Sequence, residues 1–180
     1  RDLSAALEVA YAGPANWCTL SLAIDVTLII TPLASFRFLI IDWEILIGAK
    51  KFTLKTFTEP DGKLIPIELD KDIPFEVKRM FYVYDVHDQN DRRKHSHHKT
   101  KQILIAINGG VTVICDDGKK RRNYVLNEPN KALFIPELIW DEQVYHSENS
   151  VLLVLSNTNY DINDYIEDYD EFKRIKNENK

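Results

Sequence analysis

Short apolar runs separated by tight-turn residues recur through this chain, and that cadence restricts its fold more than any single motif. Asn108-Gly109-Gly110 leads into Val111-Thr112-Val113-Ile114-Cys115, and Asp116-Asp117-Gly118 turns the chain again. Asn-Gly and Asp-Gly pairs supply the positive backbone angles of hairpin turns. Upstream, residues 52–57 predict a strand, and Glu59-Pro60-Asp61-Gly62 turns it into a partner at 64–67. Pro fixes one torsion there and Gly permits another. Because Pro66 has no amide hydrogen, the partner strand is expected at a sheet edge. Further runs at 77–84, 124–126, 132–135, 139–144 and 151–155 continue the pattern. No alternating helices intervene, so the reading is all-β, an antiparallel sandwich or barrel.

The tail changes period. From Asp161, the residues Ile162, Tyr165, Ile166, Tyr169 and Phe172 recur at helical steps. Acidic residues lead, and Lys173, Arg174 and Lys176 follow, which complements a helix dipole. A short C-terminal helix capped by Asp161 is expected, its aromatic stripe packing on the barrel. Residues 1–48 carry no decodable role: Met80 is the first methionine, and the segment reads as an appendage, a fragment or a read-through. Asp25, Pro32, Arg37, Asp42 and Glu44 interrupt its apolar windows below the ~20 residues that span a bilayer, and nothing in it is arranged as a signal peptide.

Composition sets the remaining bounds. With 180 residues, 44% hydrophobic, the chain can build one domain with a core, placed at 50–175. A formal charge of −5 gives no footing for nucleic acid. Lys119-Lys120-Arg121-Arg122 reads as a solvated loop after a hairpin turn. Cys18 and Cys115 form no Cys-x-x-Cys unit, which argues against a disulfide framework and a structural zinc and fits a reducing cytoplasm.

Chemistry concentrates where a titratable cluster runs into an apolar strand, from Arg92 to Gly109. Successive strand residues alternate faces, so His95 and His97 project together. A His-x-His pair followed by a carboxylate and then a Gly would be the first metal-binding signature of a cupin barrel. Here Gln102 stands at the carboxylate position and Gly109 at the Gly position, while Asp141, five residues after Pro136, replaces the His of the second signature. A carboxamide brings no charge to a divalent metal, so no metal and no cofactor is expected. Two imidazoles then remain to move protons near neutral pH. Upstream, the strand at 77–84 puts Val77, Arg79, Phe81 and Val83 on one face. Arg79 among apolar neighbours either reaches solvent along its stem or holds ligand oxygens inside the barrel. Trp140 is open between core and site.

These residues together resemble the cupin-type sugar nucleotide 3,4-ketoisomerases, the WxcM-like C-terminal domain. The resemblance runs from about Phe52 to Phe172. It rests on Asp61-Gly62-x-Leu64-x-Pro66-Ile67-Glu68, Ile73-Pro74-Phe75 with Lys78-Arg79, Arg92-x-x-His95-x-His97, Gln102-Ile103-Leu104, Ile107-Asn108-Gly109, Trp140-x-Glu142, Val151-Leu152-Leu153-Val154-Leu155 and Tyr160-Asp161-x-x-Asp164-Tyr165. It implies a cupin double-stranded β-helix, a jelly-roll barrel, forming a homodimer. The implied substrate is a dTDP-linked 4-keto-6-deoxyhexose, whose ketone moves to carbon 3 to feed surface polysaccharide (lipopolysaccharide, O-antigen) synthesis.

The resemblance assigns the acid/base work to His95 and His97 and places Arg79, Phe81, Arg92, Gln102, Trp140 and Glu142 around the substrate. Phe81 occupies the position where the family has a tyrosine, and Arg93 and Asp141 are further departures. Moving the ketone requires removing the proton at carbon 3, forming an enediol and returning a proton to carbon 4. Which histidine is the base stays open at this point. Three other readings also stay open: a non-catalytic sugar nucleotide binding module, a metal-dependent cupin oxygenase and a 3,5-epimerase.

Overall fold

The computed structural model describes residues 48–87 and 92–178, with the side chains of Arg92 and Arg93 excepted. The readings made for residues 1–47 lie outside the described residues. Two five-stranded antiparallel sheets form the barrel, an antiparallel architecture as the strand cadence predicts and of the jelly-roll form that the resemblance implies. Sheet one runs β1 (Lys50–Thr53), β9 (Lys131–Ile135), β6 (Gln102–Asn108), β11 (Val151–Ser156) and β4 (Arg79–Val83). Sheet two runs β12 (Tyr165–Ile166), β5 (Arg92–His97), β10 (Trp140–Tyr145), β7 (Val111–Asp116) and β8 (Arg121–Leu126). A separate hairpin joins β2 (Phe57–Glu59) to β3 (Gly62–Leu64), and the helix α1 (Tyr169–Glu178) follows the last strand.

The core lies between the sheets. Leu104, Leu133, Leu152 and Val154 from sheet one meet Val111, Val113, Leu126 and Tyr145 from sheet two. Each such burial contributes roughly 1.5–3 kcal/mol. The outer face of sheet one is also covered, by Leu54, Ile73 and the partly buried Ile65, Ile67, Phe75 and Val77 packed on Ile103, Ile105 and Leu155. That double coverage explains why Ile103-Leu104-Ile105-Ala106 shows no polar alternation. A third cluster, Trp140 with Ile166 and Phe172, seats the C-terminal segment on the outside of sheet two.

Several sequence expectations change, and Val77 is one of them: β4 begins at Arg79, and Val77 packs in the outer cluster while Phe81 and Val83 face the core. Residues 52–57 are not one strand: β1 stops at Thr53, Leu54 is buried with its amide bonded to Asn130 O at 2.7 Å, and pairing resumes only at Phe57. The partner strand ends at Leu64, two residues before Pro66, because its next side chains turn to the outer cluster. Arg121 and Arg122 belong to β8, paired with Asp116 and Cys115, so the basic run is only half loop.

The tail is not one helix from Asp161. Asp161 caps a 3-10 turn, Ile162–Asp164, and Tyr165–Ile166 pair as a strand with His97 and Ser96. The helix begins at Tyr169, where Asp168 accepts from the Glu171 amide at 2.7 Å. Backbone pairing to β5 outcompetes the helical period, because it also delivers Asp164 to buried donors.

Candidate active site

Period-two alternation brings polar side chains to one end of the barrel interior. On sheet one, Ser156 pairs with Arg79 on one side and Gln102 on the other, so these three lie level across β4, β11 and β6. On sheet two, His95 is opposite Asp141 and His97 is opposite Tyr165. The structure thus brings His95, His97, Gln102, Arg79 and Phe81 into one region.

His97 is buried, with both ring nitrogens engaged. Nδ1 lies 3.1 Å from Asp164 Oδ2, and Nε2 faces the Gln102 amide nitrogen at 3.3 Å. Because a carboxamide NH2 only donates, Nε2 accepts and the proton sits on Nδ1, donated to Asp164. Asp164 also accepts from the Lys99 amide at 3.0 Å and from Thr100 Oγ1. Burial, then the nearby His95, push the His97 pKa down from 6.5 to about 4, outweighing the opposing pull of Asp164. His97 is therefore neutral at physiological pH.

His95 stands edge-on to His97, ring centres 4.9 Å apart at 87°, and its Nε2 faces Asp141 Oδ1 across 4.0 Å. Burial raises the Asp141 pKa, against the smaller opposing effects of His95 and of a hydrogen bond from Gln143. The Tyr165 ring lies 5.2 Å from His95 and 4.5 Å from His97. Beyond it, Tyr160 and Phe81 flank the Arg79 guanidinium at 5.6 and 5.1 Å, within cation–π range. The Arg79 Nε is buried with no hydrogen-bond partner.

Two predicted site residues do not join this group. Trp140 and Glu142 alternate with Asp141 on β10 and face outward: Trp140 packs on Tyr169 and Phe172 and lies 3.3 Å from Glu142, which also pairs with Arg121 and Lys94. The backbone of Arg92 sits in β5 opposite Gln143, and its side chain lies outside the described residues. Sequence reasoning missed Asp164 and Tyr165 as site residues. They stood in the Tyr160-Asp161-x-x-Asp164-Tyr165 motif, but its spacing read as helix. Among the described residues no three His, Cys, Asp or Glu side chains come together to hold a metal. Two imidazoles beside a carboxamide do not fit the four-ligand cupin set.

Residues 48–177 match the family described as FdtA: WxcM-like, C-terminal. A protein of Aneurinibacillus thermoaerophilus named TDP-4-oxo-6-deoxy-alpha-D-glucose-3,4-oxoisomerase is 36% identical over 125 residues, 69% of this chain and 90% of that protein. A 3,4-ketoisomerase from Helicobacter canadensis superimposes with TM-score 0.70 at 37% identity, covering 73% of this chain and 99% of that one. The 3,4-ketoisomerase of Thermoanaerobacterium thermosaccharolyticum, solved as a His-to-Asn mutant with TDP-4-keto-6-deoxyglucose, gives TM-score 0.71 at 34% identity, covering 74% and 97%.

Proposed function

Because this chain belongs to the WxcM-like C-terminal family, FdtA, we propose that it is a sugar nucleotide 3,4-ketoisomerase acting on a TDP-4-keto-6-deoxyhexose. The observation that carries this reading is the match to nearly the whole length of such isomerases, in a chain whose barrel end gathers two imidazoles on one strand face.

The surroundings of the two histidines support different roles for them. His97 has Nδ1 committed to Asp164 and Nε2 to Gln102, so it orients and packs rather than abstracts. His95 is then the base that takes the proton from carbon 3 and supports its return at carbon 4 through the enediol. Such a step contributes roughly 10²–10⁴-fold. Arg79, held between two aromatic rings with a buried Nε unpartnered, suits an oxygen of the sugar or diphosphate that would complete its hydrogen bonding. Phe81 offers no hydroxyl, and Tyr165 carries the phenol packed against the histidine pair. No cofactor enters this mechanism. The protein works as a cytoplasmic homodimer supplying keto sugars for surface polysaccharide.

The test is an NMR time course with TDP-4-keto-6-deoxyglucose in deuterated water. Transfer of the ketone to carbon 3 with deuterium at carbon 4 is expected. Exchange at carbon 5 would indicate an epimerase instead, and binding without chemical change would leave a sugar nucleotide binding module.

A further inference from the structure

Three polar side chains at two-residue steps line the interior face of β10, beside the apolar Val111, Val113 and Cys115 of β7. Tyr145 Oη donates to Gln143 Oε1 at 3.1 Å, and Gln143 Nε2 donates to Asp141 Oδ2 at 3.1 Å. The other carboxyl oxygen, Oδ1, faces His95 Nε2 at 4.0 Å. The two ends of the ladder are buried, Asp141 at 1% exposed and Tyr145 at 2%, and Gln143 between them is partly buried. Its floor is Cys115 and Val113, the residues of β7 paired with Asp141 and Gln143. The pairing of β10 with β5 shifts register between Asp141 and Gln143, so the irregularity falls where the carboxyl meets the imidazole. A carboxyl in such a place is costly unless its partners are fixed.

We propose that Asp141, held by Gln143 and through it by Tyr145, is the positioning residue of His95: its Oδ1, 4.0 Å from Nε2, offsets the positive charge His95 gains on taking the substrate proton. The proposal rests on the reading of His95 as the base. In the step, the proton leaving carbon 3 binds the imidazole, the electron pair stays in the enediolate, and the carboxylate 4.0 Å away pairs with the new imidazolium.

Several other charged or ionisable groups act on this pair. Glu142, next in the strand, raises the Asp141 pKa; the Cys115 thiol is itself pushed far up by burial and does not ionise in the working range. Against His95 stand His97 and Tyr165, with the charge of Arg79 acting on His97. Gln143 favours the ionised carboxyl through its hydrogen bond. Substitutions at 141 and 143 should therefore move the acid limb of the pH profile in opposite directions.

The experiment is the pH dependence of kcat/KM for the full chain with TDP-4-keto-6-deoxyglucose, comparing wild type with Asp141→Asn, Gln143→Met and His95→Asn. Asp141→Asn is expected to lower kcat on the order of 10²-fold with KM little changed, and to move the acid limb of the profile to lower pH. Gln143→Met removes the donor that favours the carboxylate, so its acid limb moves to higher pH. A uniform loss at every pH in both variants, with the limb unmoved, would overturn the proposal. Should Asp141→Asn fail to fold, the Gln143→Met limb decides alone. His95→Asn separates the two readings: turnover surviving in that variant refutes His95 as base, whereas an inactive His95→Asn with unshifted Gln143→Met refutes the role of Asp141 only.

Discussion

His95 and His97 are two residues apart on one strand, yet their surroundings differ. His97 is enclosed by Asp164 and Gln102 and held neutral, its pKa depressed to about 4. In the unfolded chain it binds a proton near its ordinary value, so protonation favours unfolding as the pH falls. Stability contributed by this site is fully present above about 6.5 and is lost as the pH drops toward 4, a change on the order of 3 kcal/mol. Denaturant titrations at a series of pH values should show this slope, flattened in His97→Gln. His95→Asn, by contrast, should cut turnover by roughly 10²–10⁴-fold while TDP binding stays near wild type, read by single-turnover NMR and calorimetry. Loss of TDP binding instead would give His95 a structural role. The pair was legible from spacing alone. The proposed division of labour was not, because it depends on Asp164, which lies 67 residues from His97 in sequence.

At the level of elements, the hairpins were legible because their turns are written in Gly, Asn and Asp. Gly109 has φ +66°, and a Cβ there would approach the Ser150 Cα to 2.8 Å, a backbone atom that cannot step aside. Gly109→Ala should cost about 1–3 kcal/mol, measured as a lower denaturation midpoint at unchanged slope. The tail was misread for an equally physical reason. Ile166, Tyr169 and Phe172 keep helical spacing while only the last two are in the helix, since all three serve one outer cluster around Trp140. Phe172 is fully buried there, and Phe172→Ala should destabilise by about 3–5 kcal/mol in chemical denaturation. Because β12 carries Tyr165 and follows Asp164, weakening this cluster should also lower activity per folded molecule.

On the scale of the whole molecule, the strand that brings Arg79 and Phe81 inward turns Met80 and Tyr82 outward, 65% and 62% exposed, with Tyr84 just beyond it also 62% exposed. This strand is the edge of sheet one. Long apolar side chains on an exposed edge invite a second copy. The proposed homodimer predicts that Tyr82→Glu shifts the mass from two chains to one in light scattering; an unchanged mass would move the interface elsewhere. Among the described residues no helix is long and apolar enough to cross a membrane.

Most of the hairpins, the shared face of His95 and His97, the shared face of Arg79 with Phe81 and Val83 and the family itself were determined by sequence, because period-two alternation and turn chemistry are local; the inward direction of Arg79 was left to the fold. Tertiary structure alone decided which face of β10 is the interior. Trp140-Asp141-Glu142 alternates either way, and only its pairing between β5 and β7 puts Asp141 beside His95 while Trp140 and Glu142 go to the outer layer. The same holds for Asp164 and Tyr165, which join the histidines through a two-residue strand too short to leave a periodic mark. Local spacing tells which residues travel together; the partner strand tells where they arrive.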